Sequence, residues 1–232
     1  MAKIYDRNYM LKSYDKQYRM INTYLSMLEK RRVTEVEDVS DITVCPCEYK
    51  TGNTPPPASE FKPFTKGEYF GSGWDTHAWF HFTVDREVGD KPLFLRAYTE
   101  YTGWDAANPQ FIIYVDGAMR QGLDTNHREI LLGKGGHYDV FVYAYTGAKI
   151  ERAQFFADTY RLDADVDGLY YDLLYPFQML AFLGDESSEF VCIKDHLYRA
   201  LGLLDLFDLE SEAFLASVKR ARAYMETEDN EE

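Results

Sequence analysis

Apolar and polar positions alternate with a period of two through the middle of the chain and with a helical period at both ends. In 77–84, Ala78, Phe80, Phe82 and Val84 fall on one side of an extended backbone, and His77, Trp79, His81 and Thr83 fall on the other. Leu93, Leu95 and Ala97 repeat the alternation, as do Tyr138, Val140, Val142 and Ala144, then Phe155, Ala157 and Thr159. Phe111–Val115 is β-branched and aromatic, which suits a pleated, half-buried surface. Asp116-Gly117 supplies two residues that tolerate positive φ, so a type I′ turn should return the chain through Ala118–Gln121. A polar loop follows, and Arg128–Leu132 enters a third strand ahead of Gly133–Gly136. No helical pattern separates these six or seven strands. The pattern predicts a mainly β fold, an antiparallel, jelly-roll-like β-sandwich with an N-terminal helix and a C-terminal helical segment.

Tyr14, Tyr18, Ile21, Leu25 and Leu28 form one stripe of a helix running to about Arg32, a docking face for the rest of the chain. From Val33 to Gly67 the pattern dissolves, and the proline-rich TGNTPPPASEFKPF reads as an extended surface connector. After Asp163 the helical period returns. Tyr170–Leu183 is apolar nearly all round, which predicts burial on more than one side, with Pro176 as a kink. Phe190, Ile193, Leu197, Leu201 and Leu204 make a second stripe; Ser211 is placed to cap a third helix bearing Phe214, Leu215, Val218 and Ala221. The expected division is 1–67 helix and connector, 68–163 sandwich, and 164–232 a helical passage into a further domain.

Of the 232 residues, 46% are hydrophobic and 16% aromatic, enough for a sizeable core. The formal charge of −14 repels phosphate backbones and anionic lipid, so neither nucleic acid nor a membrane surface is an expected partner. Neutral ligands such as sugars suit it better. MAKIYDRNYMLK has no apolar leader core and no run of 18 apolar residues occurs, so a cytoplasmic location is expected. Cys45, Cys47 and Cys192 fit neither a disulfide framework nor a trusted zinc spacing, and read as reduced thiols.

No nucleophile elbow, phosphate loop or dinucleotide fingerprint is present; the GKGG of Gly133–Gly136 lacks the helix and hydroxyl residue a phosphate loop needs. His77 and His81 flank Trp79 on one strand face, an incomplete metal or sugar face for which plain packing is the simpler reading. His196 lies off its helix's apolar stripe and is expected in solvent. His137 and Asp139 share a strand face, but no companions complete a zinc site. Trp74 and Trp104 are candidate sugar platforms, with Asp75 as a hydroxyl acceptor beside Trp74. Trp79 is expected instead to fill the sandwich core.

Several stretches resemble the bacterial and vacuolar-type α-mannosidases of glycoside hydrolase family 38, in the region before their catalytic barrel. They are GSGWDTHAWFHFTV (Gly71–Val84), FIIYVDGAMRQGLDTNHREILL (Phe111–Leu132), HYDVFVYAYTG (His137–Gly147), YYDLL (Tyr170–Leu174) and LLDLFDLESEAFLASV (Leu203–Val218). The ordered set YVDG, QGLD, NHREILL is the specific part, and Val33–Lys66 matches poorly. The resemblance implies an N-terminal accessory sandwich of a retaining, zinc-dependent α-mannosidase. Its partners would be the enzyme's own catalytic domain, a second copy and a sugar ligand. It implies no catalytic or zinc residue within this chain, zinc belonging to the full-length enzyme. His137-Tyr138-Asp139 lacks the rest of the family's zinc motif. Asn126, His127 and Arg128 would brace the sandwich against a neighbouring domain. Two other readings stand beside this one: a self-standing carbohydrate-binding module, and an independent hydrolase using a carboxylate pair that spacing alone cannot reveal.

Overall fold

The structure, a computed structural model, describes residues 16–48, 54–71, 75–99, 110–124, 127–146, 153–185 and 187–227. Two compact units form: residues 35–161 make one, and residues 1–34 with 162–232 make the other.

The first unit is the β-sandwich. Its strands are β1 (Val33–Asp38), β2 (Thr43–Cys47), β3 (Lys62–Pro63), β4 (Tyr69–Gly71), β5 (His77–Arg86), β6 (Leu93–Tyr98), β7 (Gln110–Val115), β8 (Ala118–Leu123), β9 (Glu129–Gly133), β10 (Gly136–Tyr145), β11 (Ala153–Gln154) and β12 (Phe156–Leu162). One sheet has the order β1-β12-β6-β9 and the other β3-β2-β5-β10-β7-β8, while β4 and β11 pair by themselves. β2–β3, β2–β5, β5–β10, β10–β7, β7–β8, β6–β9, β6–β12 and β4–β11 all pair antiparallel. Burial follows the alternation. Ala78, Phe80, Phe82 and Val84 from β5 and Val140, Val142 and Ala144 from β10 meet Leu95, Ala97, Ile130 and Ala157 of the facing sheet in one core. Phe155 lies at its centre, its ring stacked 4.0 Å from Phe80 and edge-on to Phe111.

The β7–β8 turn is the expected one. Asp116 and Gly117 both have positive φ, 52° and 77°, and Val115 pairs with Ala118. The chain does not then extend the hairpin. It crosses to the four-stranded sheet as β9, which pairs with β6, and crosses back as β10 beside β7. Gly135 makes the second crossing feasible: at φ 122° a Cβ would lie 2.2 Å from the Glu87 carbonyl oxygen.

Residues 33–67 differ from the expected connector, because they supply β1, β2 and β3. β1 (VTEVED) is an edge strand with mostly exposed side chains, so it needs no alternation and tolerates charge. Pro46 sits in β2, but β3 pairs only with Thr43 and Val44. Beyond that point β2 has a partner on one side, where a missing N–H costs little.

The second unit packs α1 (Lys16–Arg31), α2 (Ala164–Met179), α3 (Ser188–Leu201) and α4 (Glu212–Met225) around Ile21, Leu25, Leu28, Leu169, Leu173, Leu197, Phe214 and Val218. Asp163, Ser187 and Ser211 cap α2, α3 and α4, accepting from the backbone N–H groups of Val166, Phe190 and Phe214. Arg31, at the end of α1, is buried. Its Nε donates to the Leu209 carbonyl at 2.7 Å, and its Nη1 faces the Asp163 carboxylate at 3.6 Å. α2 packs against α1, α3 and α4, as a stretch apolar on more than one side should, while Tyr175, Met179 and Phe182 are exposed and Pro176 sits inside α2. One expectation is corrected in this unit. His196 is not simply solvated but stacks on Tyr224 at 4.7 Å.

Phe155→Ala should lower the unfolding free energy by about 3–5 kcal/mol, because its fully buried ring packs on Phe80, Phe82 and Phe111 in the core between the sheets. Urea denaturation checks this; a loss well under 1 kcal/mol would mean that the sheets do not close on this ring.

A candidate binding face on the six-stranded sheet

The same alternation that fills the core puts a second set of side chains on the far face of the six-stranded sheet. Strand register arranges them in rows. Cys47, His77, Tyr145 and Gln110 form the first, Cys45, Trp79, Tyr143 and Ile112 the second, and Thr43, His81, Phe141 and Tyr114 the third. Thr83, Asp139, Asp85 and His137 continue the pattern on β5 and β10. A four-strand-wide aromatic surface thus passes into a polar margin.

The rings lean on one another. Trp79 lies 5.1 Å from Tyr143 and 5.4 Å from Tyr114, while His81 stacks on Phe141 at 4.3 Å. Phe61 meets His81 and Phe141 edge-on at 5.9 and 6.0 Å and closes that end of the face. Phe141, Tyr143 and Tyr145 remain half-buried. Tyr114 is almost wholly buried, its hydroxyl has no hydrogen-bond partner among the described residues, and burial pushes its phenol above the ordinary tyrosine value.

Hydrogen bonds fix the polar groups. His77, 5% exposed, meets the Asp75 carboxylate through Nε2 at 2.9 Å and the Tyr143 hydroxyl through Nδ1 at 2.6 Å. Asp75 holds this position with φ 56°, a left-handed conformation that aspartate adopts more readily than most residues. His81 Nε2 meets Asp139 at 2.7 Å, and His137 Nδ1 meets Asp85 at 2.6 Å. The Tyr145 hydroxyl donates to Gln110 Oε1. Asp116 at the hairpin turn receives the Asp139 N–H at 3.0 Å and donates its own N–H to the Asp139 carbonyl at 2.8 Å, tying the turn to β10.

Several expected site residues fall elsewhere. Trp74, Trp104 and Asn126 lie outside the described residues. Asp75 sits at the rim and faces His77. His127 is exposed in the loop after β8, its N–H and ring bound to Asp124, and the Arg128 carbonyl accepts from Ala97 N–H at the four-stranded sheet. Those two are not brought to the aromatic face. Trp79 is buried as expected, but in the outer cluster with Cys45 and Tyr114 and not between the sheets. His137 and Asp139 do share a face, each engaged by a β5 side chain. Among the described residues no group of three or more His, Cys, Asp or Glu side chains is placed to hold a metal ion. A cleft of about 200 Å³ beside β1 is lined by Glu37, Asp38, Asp41, Asp85, Arg86 and Thr159. Three of its four carboxylates are already paired, with Arg86, Lys66 and His137.

Tyr143, Tyr145, Phe141 and Tyr114 were missed by the sequence reading. The signal for the first three is the set left over when Val140, Val142 and Ala144 are assigned to the core: His137, Asp139, Phe141, Tyr143 and Tyr145 must share the other side.

No protein-family model matches the chain, and no curated protein matches it. Among solved structures it is similar to carbohydrate-binding modules. A family 35 module from Clostridium thermocellum is 11% identical with TM-score 0.28, over 53% of this chain and 95% of that one. The xylan-binding module CBM15 is 12% identical with TM-score 0.29, over 56% and 97%. TmCBM61, solved with β-1,4-galactotriose, is 13% identical with TM-score 0.24, over 56% and 83%. At such values neither ligand nor residue role transfers to this chain.

The hydrogen bond that His137 Nδ1–H donates to Asp85, and the negative charge of that carboxylate, hold the His137 imidazolium above the ordinary value of 6.5. The ion pair is therefore present below the raised midpoint for as long as Asp85 stays ionised, and is lost as pH rises through that midpoint. In an NMR titration His137 should titrate above about 6.5, and Asp85→Asn should bring it back. A His137 midpoint that ignores Asp85→Asn would show that the pair does not form in solution.

Proposed function

We propose that the β-sandwich binds a neutral carbohydrate on the outer face of its six-stranded sheet. The observation that carries this reading is the row of half-buried rings, Phe141, Tyr143 and Tyr145, backed by Trp79 and bordered by hydrogen-bonding groups. Flat aromatic faces match the C–H faces of pyranose rings, and carboxylate, amide and phenol groups at the margin match their hydroxyls. Asp75, Asp85, Asp116 and Asp139 surround the rings, and the chain carries −14, so anionic sugars are disfavoured. We also propose that the protein works in the cytoplasm.

Titration with mannobiose, xylotriose and β-1,4-galactotriose by calorimetry tests the reading. At least one should bind, and Phe141→Ala should weaken it about tenfold, roughly 1.4 kcal/mol. No heat from any of the three at about 10 mM, above even a 1 mM dissociation constant, would overturn it.

A second reading keeps the chain as the non-catalytic N-terminal region of an α-mannosidase, as the motif resemblance implies. The exposed stripe of Tyr175, Met179 and Phe182 on the helical unit favours it, because such a face suits cover by a further domain or a second copy. In sedimentation the chain should self-associate as its concentration rises, and Met179→Lys should abolish this. A concentration-independent monomer removes this support.

A further inference from the structure

The Asp75–His77–Tyr143 line is a hydrogen-bonded relay from the solvent edge to the middle of the aromatic face. The Asp75 carboxylate is largely exposed, the His77 ring is buried, and the Tyr143 hydroxyl lies 2.6 Å from His77 Nδ1 on the half-buried platform. An ionised carboxylate can only accept, so Asp75 fixes the proton of neutral His77 on Nε2 and leaves Nδ1 to accept from the phenol. The His77 ring lies 5.7 Å from Tyr143 and 6.0 Å from Tyr145, inclined by 23° to each. Cys47 stands beside His77 on β2. A hydroxyl on a base that is oriented by a third group has the geometry of an activated nucleophile.

We propose that Tyr143 is a base-assisted nucleophile that takes an acyl group from an activated ester, with His77 as the general base and Asp75 as a positioning residue. The Tyr143 oxygen bonds to the acyl carbon while the phenolic proton passes to His77 Nδ1. The bond from that carbon to the leaving oxygen breaks, and the leaving group departs with the electron pair. His77 then returns its proton to the leaving oxygen or to water. The products are an O-acyl-tyrosine and an alcohol or phenol, with no redox partner. This chemistry goes beyond the sugar reading and does not depend on it.

The test is p-nitrophenyl acetate with the full chain, followed by released nitrophenol, intact mass and peptide mapping. General-base assistance is worth about 10²–10⁴-fold, so Tyr143 should be acetylated at least about tenfold faster than exposed Tyr69 or Tyr175. An unassisted phenol, with a pKa of about 10, is almost wholly protonated at pH 7, so the excess of Tyr143 over Tyr69 and Tyr175 is read there. Tyr143→Phe should remove the rapid phase. Asp75→Asn, a change at an exposed side chain, should slow it, and Asp75→Glu should restore it. Equal labelling of Tyr143, Tyr69 and Tyr175, an acetyl group on Cys47 in its place, or a rapid phase that survives Tyr143→Phe would each overturn the proposal.

Discussion

The ten-residue pairing of β5 with β10 is the constraint on which the sandwich depends. It runs without interruption from Gly136 opposite Arg86 to Tyr145 opposite His77. Because side chains alternate strictly, this one register sends Phe80, Phe82, Val140 and Val142 inward and Trp79, His81, Phe141 and Tyr143 outward. A slip of one residue would exchange the two sets, placing His81 and Asp139 between the sheets. Core and candidate site are therefore two sides of one decision. The burial of Phe80 against Phe155 holds the rings of the outer face in place without touching them.

The helical unit answers to a different constraint. Its helices are short, so their ends must be satisfied. Asp163 performs two tasks there, capping α2 and facing the buried guanidinium of Arg31, which also takes the Leu209 carbonyl before α4. One cation thus ties the end of α1 to the start of α2 and to the loop entering α4. Hydrophobic contact through Leu28, Leu169, Leu197 and Phe214 joins the helices further, as do the Arg32–Asp167 and Arg222–Asp172 ion pairs.

Much of this was legible in the sequence, and the losses have physical reasons. The inward face of β5, the type I′ turn at Asp116-Gly117 and the cap at Ser211 are local signals, each set by a few neighbouring residues. β1 and β2 escaped because an edge strand needs no alternation and because Pro46 lies where its partner strand has ended. The crossing of β9 to the other sheet is a long-range choice that no local pattern encodes. Trp79 was expected between the sheets because a buried tryptophan usually marks a core. The neighbours that bury it, Tyr114 and Tyr143, come from strands 35 and 64 residues further on. The His77–Tyr143 contact, 66 residues apart, is likewise a product of register, and no spacing motif announces it.

The central claim is that the outer face of the six-stranded sheet meets the ligand. Amide chemical-shift mapping of the isotopically labelled chain, titrated with xylotriose, tests it most directly. The account predicts the largest shifts at His77, Trp79 and His81 on β5, Phe141, Tyr143 and Tyr145 on β10, and Ile112 and Tyr114 on β7. Shifts confined to β1, β6, β9 and β12 of the opposite sheet, or to the cleft lined by Glu37, Asp38 and Asp41, would contradict it.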